Sequence, residues 1–193
     1  LINNRPVFMR GNLDCLHFPL TGYPSCDIQE WERIFRIYKS YGLNHVRFHS
    51  WCPPEAAFTA AARIGIYIQA EVLWIDWWMS VVRKERPEMT TRGLPKGLGH
   101  NPSADKFVPE ELQRMIEAYG NHPSFTMLCI GNELGNSNFD IMQQWIKSLQ
   151  EKDPRRLYAI STARTIMPAD QYMDTHNIPQ TGGTYGINGT GTE

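Results

Sequence analysis

Polar side chains recur where apolar, strand-like runs of this sequence end. The residues at these positions are Arg47, His49, Glu71, Asn132, Glu133 and His176. If the runs are parallel strands of a barrel, their carboxyl ends meet at one mouth, where these side chains converge. This convergence is the strongest indication of a functional site in the sequence, and we predict that all six residues line that site.

Glu133 is the residue best suited to acid chemistry. It follows the apolar run Phe125–Ile130 and is preceded by Gly131 and Asn132. A carboxyl group at a barrel mouth, desolvated by aromatic side chains, has a raised pKa. A raised pKa keeps the proton available near neutral pH, which a general acid needs in order to protonate a leaving-group oxygen. We therefore predict that Glu133 is the catalytic acid/base.

The other predicted site residues have structural alternatives. Arg47 suits either a cleft residue or a structural salt bridge, and His49 alone is more often a hydrogen-bonding residue than a catalyst. Glu71 ends a strand predicted to be buried, and a buried carboxylate is costly without a partner or a role. Arg47 is a candidate for that partner.

Tryptophan is concentrated near the predicted mouth. Aromatic residues make up 11% of the chain, and four of the six tryptophans are Trp51, Trp74, Trp77 and Trp78. Core packing accounts readily for one or two of them. A cluster within a polar stretch that contains Pro and Gly instead favours a cleft that binds the flat apolar faces of sugar rings. We accordingly predict that Trp51 and Trp74 contact a carbohydrate substrate.

Helical and strand-like segments alternate along the chain. Apolar residues at helical spacing occur in Trp31–Tyr38, Ala57–Ile64, Leu112–Tyr119 and Met142–Leu149. The first of these helices has Ser25 and Asp27 as candidate N-caps, the second opens at Pro53 and Pro54, and the third is predicted to begin at about Pro109. Strands are predicted at Val7–Gly11, Asn44–Phe48, Ile66–Glu71, Phe125–Ile130, Leu157–Ile160 and, from a weaker pattern, Tyr172–Asn177.

This alternation predicts parallel βαβ units. The near-continuous apolar strands also suit a sheet that is buried on both faces. An open doubly wound sheet usually has a Gly-rich turn after its first strand, and neither GxGxxG nor GxxxxGK occurs here. The predicted fold class is therefore α/β, a (β/α)8 barrel of which this chain holds five or six strands.

The length of the chain is short for such a barrel. A complete barrel needs about 250 residues, whereas this chain has 193. We therefore expect residues 1–193 to be one partial barrel domain of a longer polypeptide, whose open sheet edge allows association with another copy. The connection between Val72 and Pro109 has no clear periodicity, and we expect it to lie at the mouth, where loops that follow strands line the active site.

Composition argues against several other classes. The chain has 19 Lys and Arg against 20 Asp and Glu, a formal net charge of -1, which argues against a nucleic-acid binder. It has no run of about 18 apolar residues, so no membrane span is predicted. The cysteines show no CxxC spacing and the histidines no HExxH, so neither a metal nor another cofactor is predicted.

Four segments together resemble the catalytic barrel of glycoside hydrolase family 2, the β-galactosidase and β-glucuronidase type. Residues 121–125 (NHPSF) and 131–133 (GNE) resemble its NHPS…GNE segment, and residues 2–11 resemble its opening NGKPxFxRG. Residues 41–47 (YGLNHVR) match its GxNxVR step, and residues 65–71 (GIYIQAE) resemble its GxYVxDE strand. The motifs occur in the family's order between Ile2 and about Pro154.

The resemblance implies a retaining hydrolase that removes terminal β-linked sugars, β-galactoside- or β-glucuronide-like, from oligo- or polysaccharides. It makes Glu133 the acid/base and Asn132 the hydrogen-bond partner of the sugar 2-hydroxyl. It also implies that Arg47 and Glu71 are cleft residues supporting the reacting sugar and the nucleophile. In this family the nucleophile is a second carboxylate that follows strand seven, and none is assigned in this chain.

The sequence also departs from the family pattern. Ala70 stands where the family has Asp, and Val72-Leu73-Trp74 replaces a stretch on which the magnesium site of β-galactosidases partly depends. These departures indicate a divergent branch. Two other hypotheses stay open, a catalytically incomplete barrel fragment that binds carbohydrate and a metal-dependent hydrolase that uses the histidines. A periplasmic or secreted location is the preferred expectation.

Overall fold

The computed structural model describes residues 2–73, 75, 97–134, 137–162 and 166–172. Its strands are β1 (Gly11–Asp14), β2 (His45–Phe48), β3 (Tyr67–Glu71), β4 (Phe125–Asn132) and β5 (Leu157–Thr162). Its helices are α1 (Ile28–Ser40), α2 (Glu55–Ile64), α3 (Pro102–Tyr119) and α4 (Phe139–Lys152).

The five strands form one parallel sheet in which each strand pairs with its neighbour in chain order. A doubly wound sheet reverses its strand order at a switch point, whereas a barrel follows chain order. The order therefore confirms the predicted α/β class and a partial TIM barrel. On the edge strands β1 and β5, Leu13 and Leu157 are partly exposed. Association through these edges stays a prediction.

Local sequence explains where the first two helices begin and end. The Asp27 side chain accepts the Gln29 N–H at 2.9 Å and caps α1, as predicted. Pro54 is the N-cap residue of α2, and Gly65 ends that helix with a left-handed backbone (φ 81°) that glycine adopts readily. The buried alanines of α2 let the helix pack closely on the sheet.

Two element boundaries differ from the prediction. Helix α3 begins at Pro102, with the Asn101 side chain accepting the Ala104 N–H, and Pro109 lies inside the helix. Strand β1 begins at Gly11, not Val7, because the Asn44 side chain bonds Phe8 and Arg10 where a strand ladder would form. Asn44 Oδ1 accepts the Arg10 N–H at 2.7 Å, and Asn44 Nδ2 donates to the Phe8 carbonyl at 2.9 Å.

The core lies between the sheet and the helices. Trp31 and Phe35 of α1 pack near Phe48 and Trp51, and Phe58 of α2 contacts Phe125 of β4. Cys129 on β4 is buried in the same region. No helix in the described ranges is both long and apolar enough to cross a membrane.

Candidate active site

A buried ion pair joins the carboxyl ends of β2 and β3. Arg47 Nε donates to Glu71 Oε1 at 2.6 Å, and the Glu71 side chain is 0% exposed. A buried carboxylate is costly unless it is paired and hydrogen-bonded. The pairing predicted from sequence is therefore confirmed, and it fixes both side chains at the mouth of the barrel.

Arg47 also reaches the end of β4. Its Nη2 donates to Asn132 Oδ1 at 3.0 Å, and Asn132 is buried. A guanidinium has no acceptor, so the amide atom that faces it is the oxygen. The Asn132 amide is thereby oriented with its NH2 group directed away from Arg47. Arg47 on β2 bonds one residue on each of the strands β3 and β4.

Glu133 directly follows β4 and has a left-handed backbone. Its φ is +50°, which is uncommon for a residue other than glycine, asparagine or aspartate. Such conformations cost about 1–3 kcal/mol and persist where the surrounding structure holds them, often at functional sites. The turn directs the chain from the strand end into Leu134, whose side chain is buried.

The carboxyl end of β1 carries a further acidic residue, Asp14, which the sequence analysis did not single out. Burial raises the pKa of its carboxyl group, against the hydrogen bond that Oδ1 accepts from the Leu16 N–H at 3.0 Å. The Asp14 carbonyl accepts the His49 N–H at 2.9 Å and the Trp51 Nε1–H at 3.2 Å. Asp14 thus ties the chain after β2 to the end of β1.

Trp51 does not present a face to a ligand, which corrects the prediction made for it. Its side chain is 2% exposed and packs edge-on against Phe48 and Phe18, with ring centroids 4.9 Å and 5.8 Å away. Its indole N–H is used by the Asp14 carbonyl. A buried ring of this kind supports the loops of the mouth by packing, because no surface is left on which a sugar could stack.

The remaining predicted site residues are only partly placed. His49 is partly buried in the segment that follows β2, and its backbone N–H is bonded to β1. Trp74 and His176 lie outside the described residues, as do Trp77 and Trp78. The part of the chain that the structure describes brings together Arg47, Glu71 and Asn132, with Glu133 adjacent in sequence.

Two contacts at the turn of Glu133 were missed from sequence. The Ile75 carbonyl accepts the Asn132 N–H at 2.9 Å, and Ser161 Oγ on β5 accepts the Leu134 N–H at 2.9 Å. Ser161 could have been found, because it is a polar residue directly after the apolar run Leu157–Ile160. In the described residues, no group of three or more His, Cys, Asp or Glu is arranged to hold a metal ion.

Fold and site together define a (β/α)8-barrel protein with polar residues gathered at the carboxyl ends of its strands, the face on which barrel enzymes have their active sites. The family model described as "Glycosyl hydrolases family 2, TIM barrel domain" matches residues 1–177. The chain therefore belongs to glycosyl hydrolase family 2.

Solved structures support the same fold. The β-glucuronidase of Parabacteroides merdae is 21% identical with a TM-score of 0.62, and the match covers 82% of this chain and 18% of that one. A glycosyl hydrolase family 2 member from Bacteroides cellulosilyticus DSM 14838 is 21% identical with a TM-score of 0.61, covering 86% and 20%. Bacteroides uniformis β-glucuronidase 3 is 20% identical with a TM-score of 0.62, covering 85% and 21%. The chain thus spans about a fifth of each of these proteins.

Proposed function

We propose that this chain supplies the acid/base half of a retaining β-glycosidase that cleaves terminal β-linked sugars. Glu133 is the acid/base, and Asn132 donates a hydrogen bond to the 2-hydroxyl of the reacting sugar. The observation that carries the proposal is the set of contacts in which Arg47 bonds both Glu71 and Asn132 beside Glu133. Membership of the glycosyl hydrolase family supports the same chemistry.

The proposed roles follow from the chemistry of each group. In a retaining glycosidase one carboxylic acid protonates the leaving oxygen, and a second carboxylate about 5–5.5 Å away attacks the anomeric carbon. The first group then removes a proton from water while water attacks the glycosyl-enzyme. Glu133 performs both proton transfers here, because its turn holds it at the strand end. Glu71 is not assigned as the nucleophile, since its Oε1 is engaged by Arg47 in a buried ion pair.

We further propose that the nucleophile belongs to a strand of the barrel beyond β5. A complete barrel has eight strands, and the structure describes five. A β-galactoside- or β-glucuronide-like substrate is the favoured class, because solved relatives of similar fold are β-glucuronidases. The experiments below therefore use the full-length polypeptide that contains this barrel.

The test is the hydrolysis of phenyl β-glycosides by the Glu133→Gln variant. Removing a general acid lowers rates by about 10²–10⁴-fold, so we expect a loss in that range with an unchanged melting temperature. Glu151→Gln, an exposed carboxylate on α4, is the matched control and should retain wild-type rates. Wild-type rates in Glu133→Gln would show that the acid role is wrong. Binding of sugar by wild type without turnover would favour a non-catalytic barrel.

A further inference from the structure

We infer that Ser161 on β5 is a positioning residue for Glu133. The inference deepens the proposed function and rests on the acid/base role of Glu133. It concerns a side chain that would not touch substrate and that acts through the backbone turn carrying the acid.

The geometry places Ser161 across the turn. Ser161 is the register partner of Gly131, two residues before Glu133, within the parallel pairing of β4 and β5. Its Oγ accepts the backbone N–H of Leu134, one residue after Glu133, at 2.9 Å. A residue of β5 is therefore in contact with the chain on both sides of the acid.

The turn needs such restraint because its conformation is unfavourable. A left-handed backbone is unfavourable for a residue other than glycine, and Glu133 has φ +50°. Before the turn, the Asn132 N–H donates to the Ile75 carbonyl at 2.9 Å. After it, the Leu134 side chain is anchored in the core and its N–H is bonded to Ser161. The hydroxyl thus fixes the far side of the turn.

Loss of the Ser161 hydroxyl should affect the position of the Glu133 carboxyl group more than the stability of the fold. Catalytic groups must be held within about 0.5 Å of their productive position, and a misplacement of about 1 Å can cost roughly 10²-fold in rate. This displacement should slow only the steps in which Glu133 transfers a proton. It should not slow the cleavage of a glycoside whose leaving group departs without protonation.

The test compares kcat/KM, which reports the steps up to cleavage of the glycosidic bond, for two substrates. One is a phenyl β-glycoside, which needs the acid, and the other is the 2,4-dinitrophenyl β-glycoside, which does not. For Ser161→Ala we expect a loss of roughly tenfold on the first and less than about twofold on the second. Ser161→Thr, which keeps a hydroxyl, should recover most of the loss.

Ser124→Ala is the matched structural control. Ser124 Oγ donates to the Phe58 carbonyl at 2.8 Å, a buried bond at the opposite end of β4. Its removal should lower the melting temperature as much as Ser161→Ala does, without changing the ratio of the two kcat/KM values. An unchanged ratio in Ser161→Ala, or the same change in both variants, would overturn the inference.

Two further comparisons keep the outcomes separate. If Ser161→Ala does not fold, Ser161→Val and Ser161→Thr, which are nearly isosteric, carry the test, and equal ratios in these two would contradict the inference. Glu133→Gln serves as the reference in every case. If Glu133→Gln leaves the ratio of the two kcat/KM values unchanged, the proposed function itself is wrong. If Glu133→Gln changes this ratio and the Ser161 variants do not, only the role of Ser161 is wrong.

Discussion

Arg47 Nη2 on β2 donates to Asn132 Oδ1 on β4 at 3.0 Å, and this contact orients the Asn132 amide. Because a guanidinium only donates, Oδ1 faces Arg47 and the NH2 group faces elsewhere. The proposed bond to the sugar 2-hydroxyl therefore has Asn132 as the donor. This polarity yields a prediction that can be checked with modified substrates.

Asn132→Ala should lose activity only where the substrate has a 2-hydroxyl. Contacts to this group strengthen in the transition state and contribute several kcal/mol. Losing about 2–3 kcal/mol of transition-state stabilisation should lower kcat/KM roughly 30- to 150-fold. The 2-deoxy glycoside already lacks the contact, and its rate should change far less. Equal losses on both substrates would indicate that Asn132 acts on the fold of the site and not on the sugar.

Arg47→Met should destabilise the domain strongly, because it leaves the buried Glu71 carboxylate without its Arg47 partner. Removing one partner of a buried pair costs about 3–5 kcal/mol. Adding Glu71→Met removes that uncompensated charge and should restore part of the stability. Thermal unfolding of the single and double variants measures this coupling. Strictly additive losses would contradict the ion pair as the cause.

Gly131→Ala should disturb the mouth from within β4. A Cβ at this position would clash with the Ile75 carbonyl oxygen, which also accepts the Asn132 N–H. The clash is with backbone, so the segment at Ile75 or the end of β4 must shift, and activity should fall with stability. Gly22→Ala is the control, since a Cβ there meets no atom within 4 Å and costs only backbone strain from φ +75°. A fully active Gly131→Ala enzyme would contradict this packing.

The loss of fold stability at low pH should arise in part from Asp153, which directly follows α4 and precedes β5. Hydrogen bonds from the Arg155 guanidinium, supplemented by one from the buried Arg156, hold the pKa of Asp153 well below its ordinary value of 3.8. A carboxyl group whose pKa is lower in the folded state stabilises the fold above its unfolded pKa. That stabilisation is lost as the pH falls from about 4 through the folded pKa.

Melting temperatures measured from neutral pH to below about pH 3 test this assignment. Asp153→Asn should melt lower than wild type at neutral pH, and the difference should shrink as the pH falls below about 4. Glu30→Gln removes an exposed carboxylate paired with Arg33 on α1 and should show a much smaller difference. A difference between wild type and Asp153→Asn that stays constant with pH would exclude Asp153 as a source of acid sensitivity.

Much of the fold could be predicted because the chain alternates between segments of helical periodicity and continuous apolar runs. Apolar residues on one helical face, such as Trp31 and Phe35, predicted the helices, and continuous apolar runs predicted the buried strands. Placing Glu71 at the end of such a run was enough to require a buried partner, and Arg47 is that partner. The position of Asn132 and Glu133 at the end of β4 followed from the same pattern.

Sequence patterns failed where tertiary contacts override local preference. Pro109 looked like a helix start, yet the Asn101 cap and Pro102 begin α3 a full two turns earlier. Trp51 looked like a ligand platform because its neighbours are polar, but its ring is enclosed by Phe18 and Phe48. The left-handed turn at Glu133 has no sequence signal, since it depends on bonds to Ile75 and Ser161 from distant segments.

The central claim is that Glu133 is the acid/base of a retaining glycosidase, and azide rescue of Glu133→Ala tests it most directly. With a 2,4-dinitrophenyl β-glycoside the glycosyl-enzyme forms without acid, but its hydrolysis lacks a base. Azide attacks without needing a base, so we predict that it raises kcat and yields a β-glycosyl azide. A variant that hydrolyses this substrate at the wild-type rate, or one that azide leaves unchanged, would contradict the assignment of Glu133.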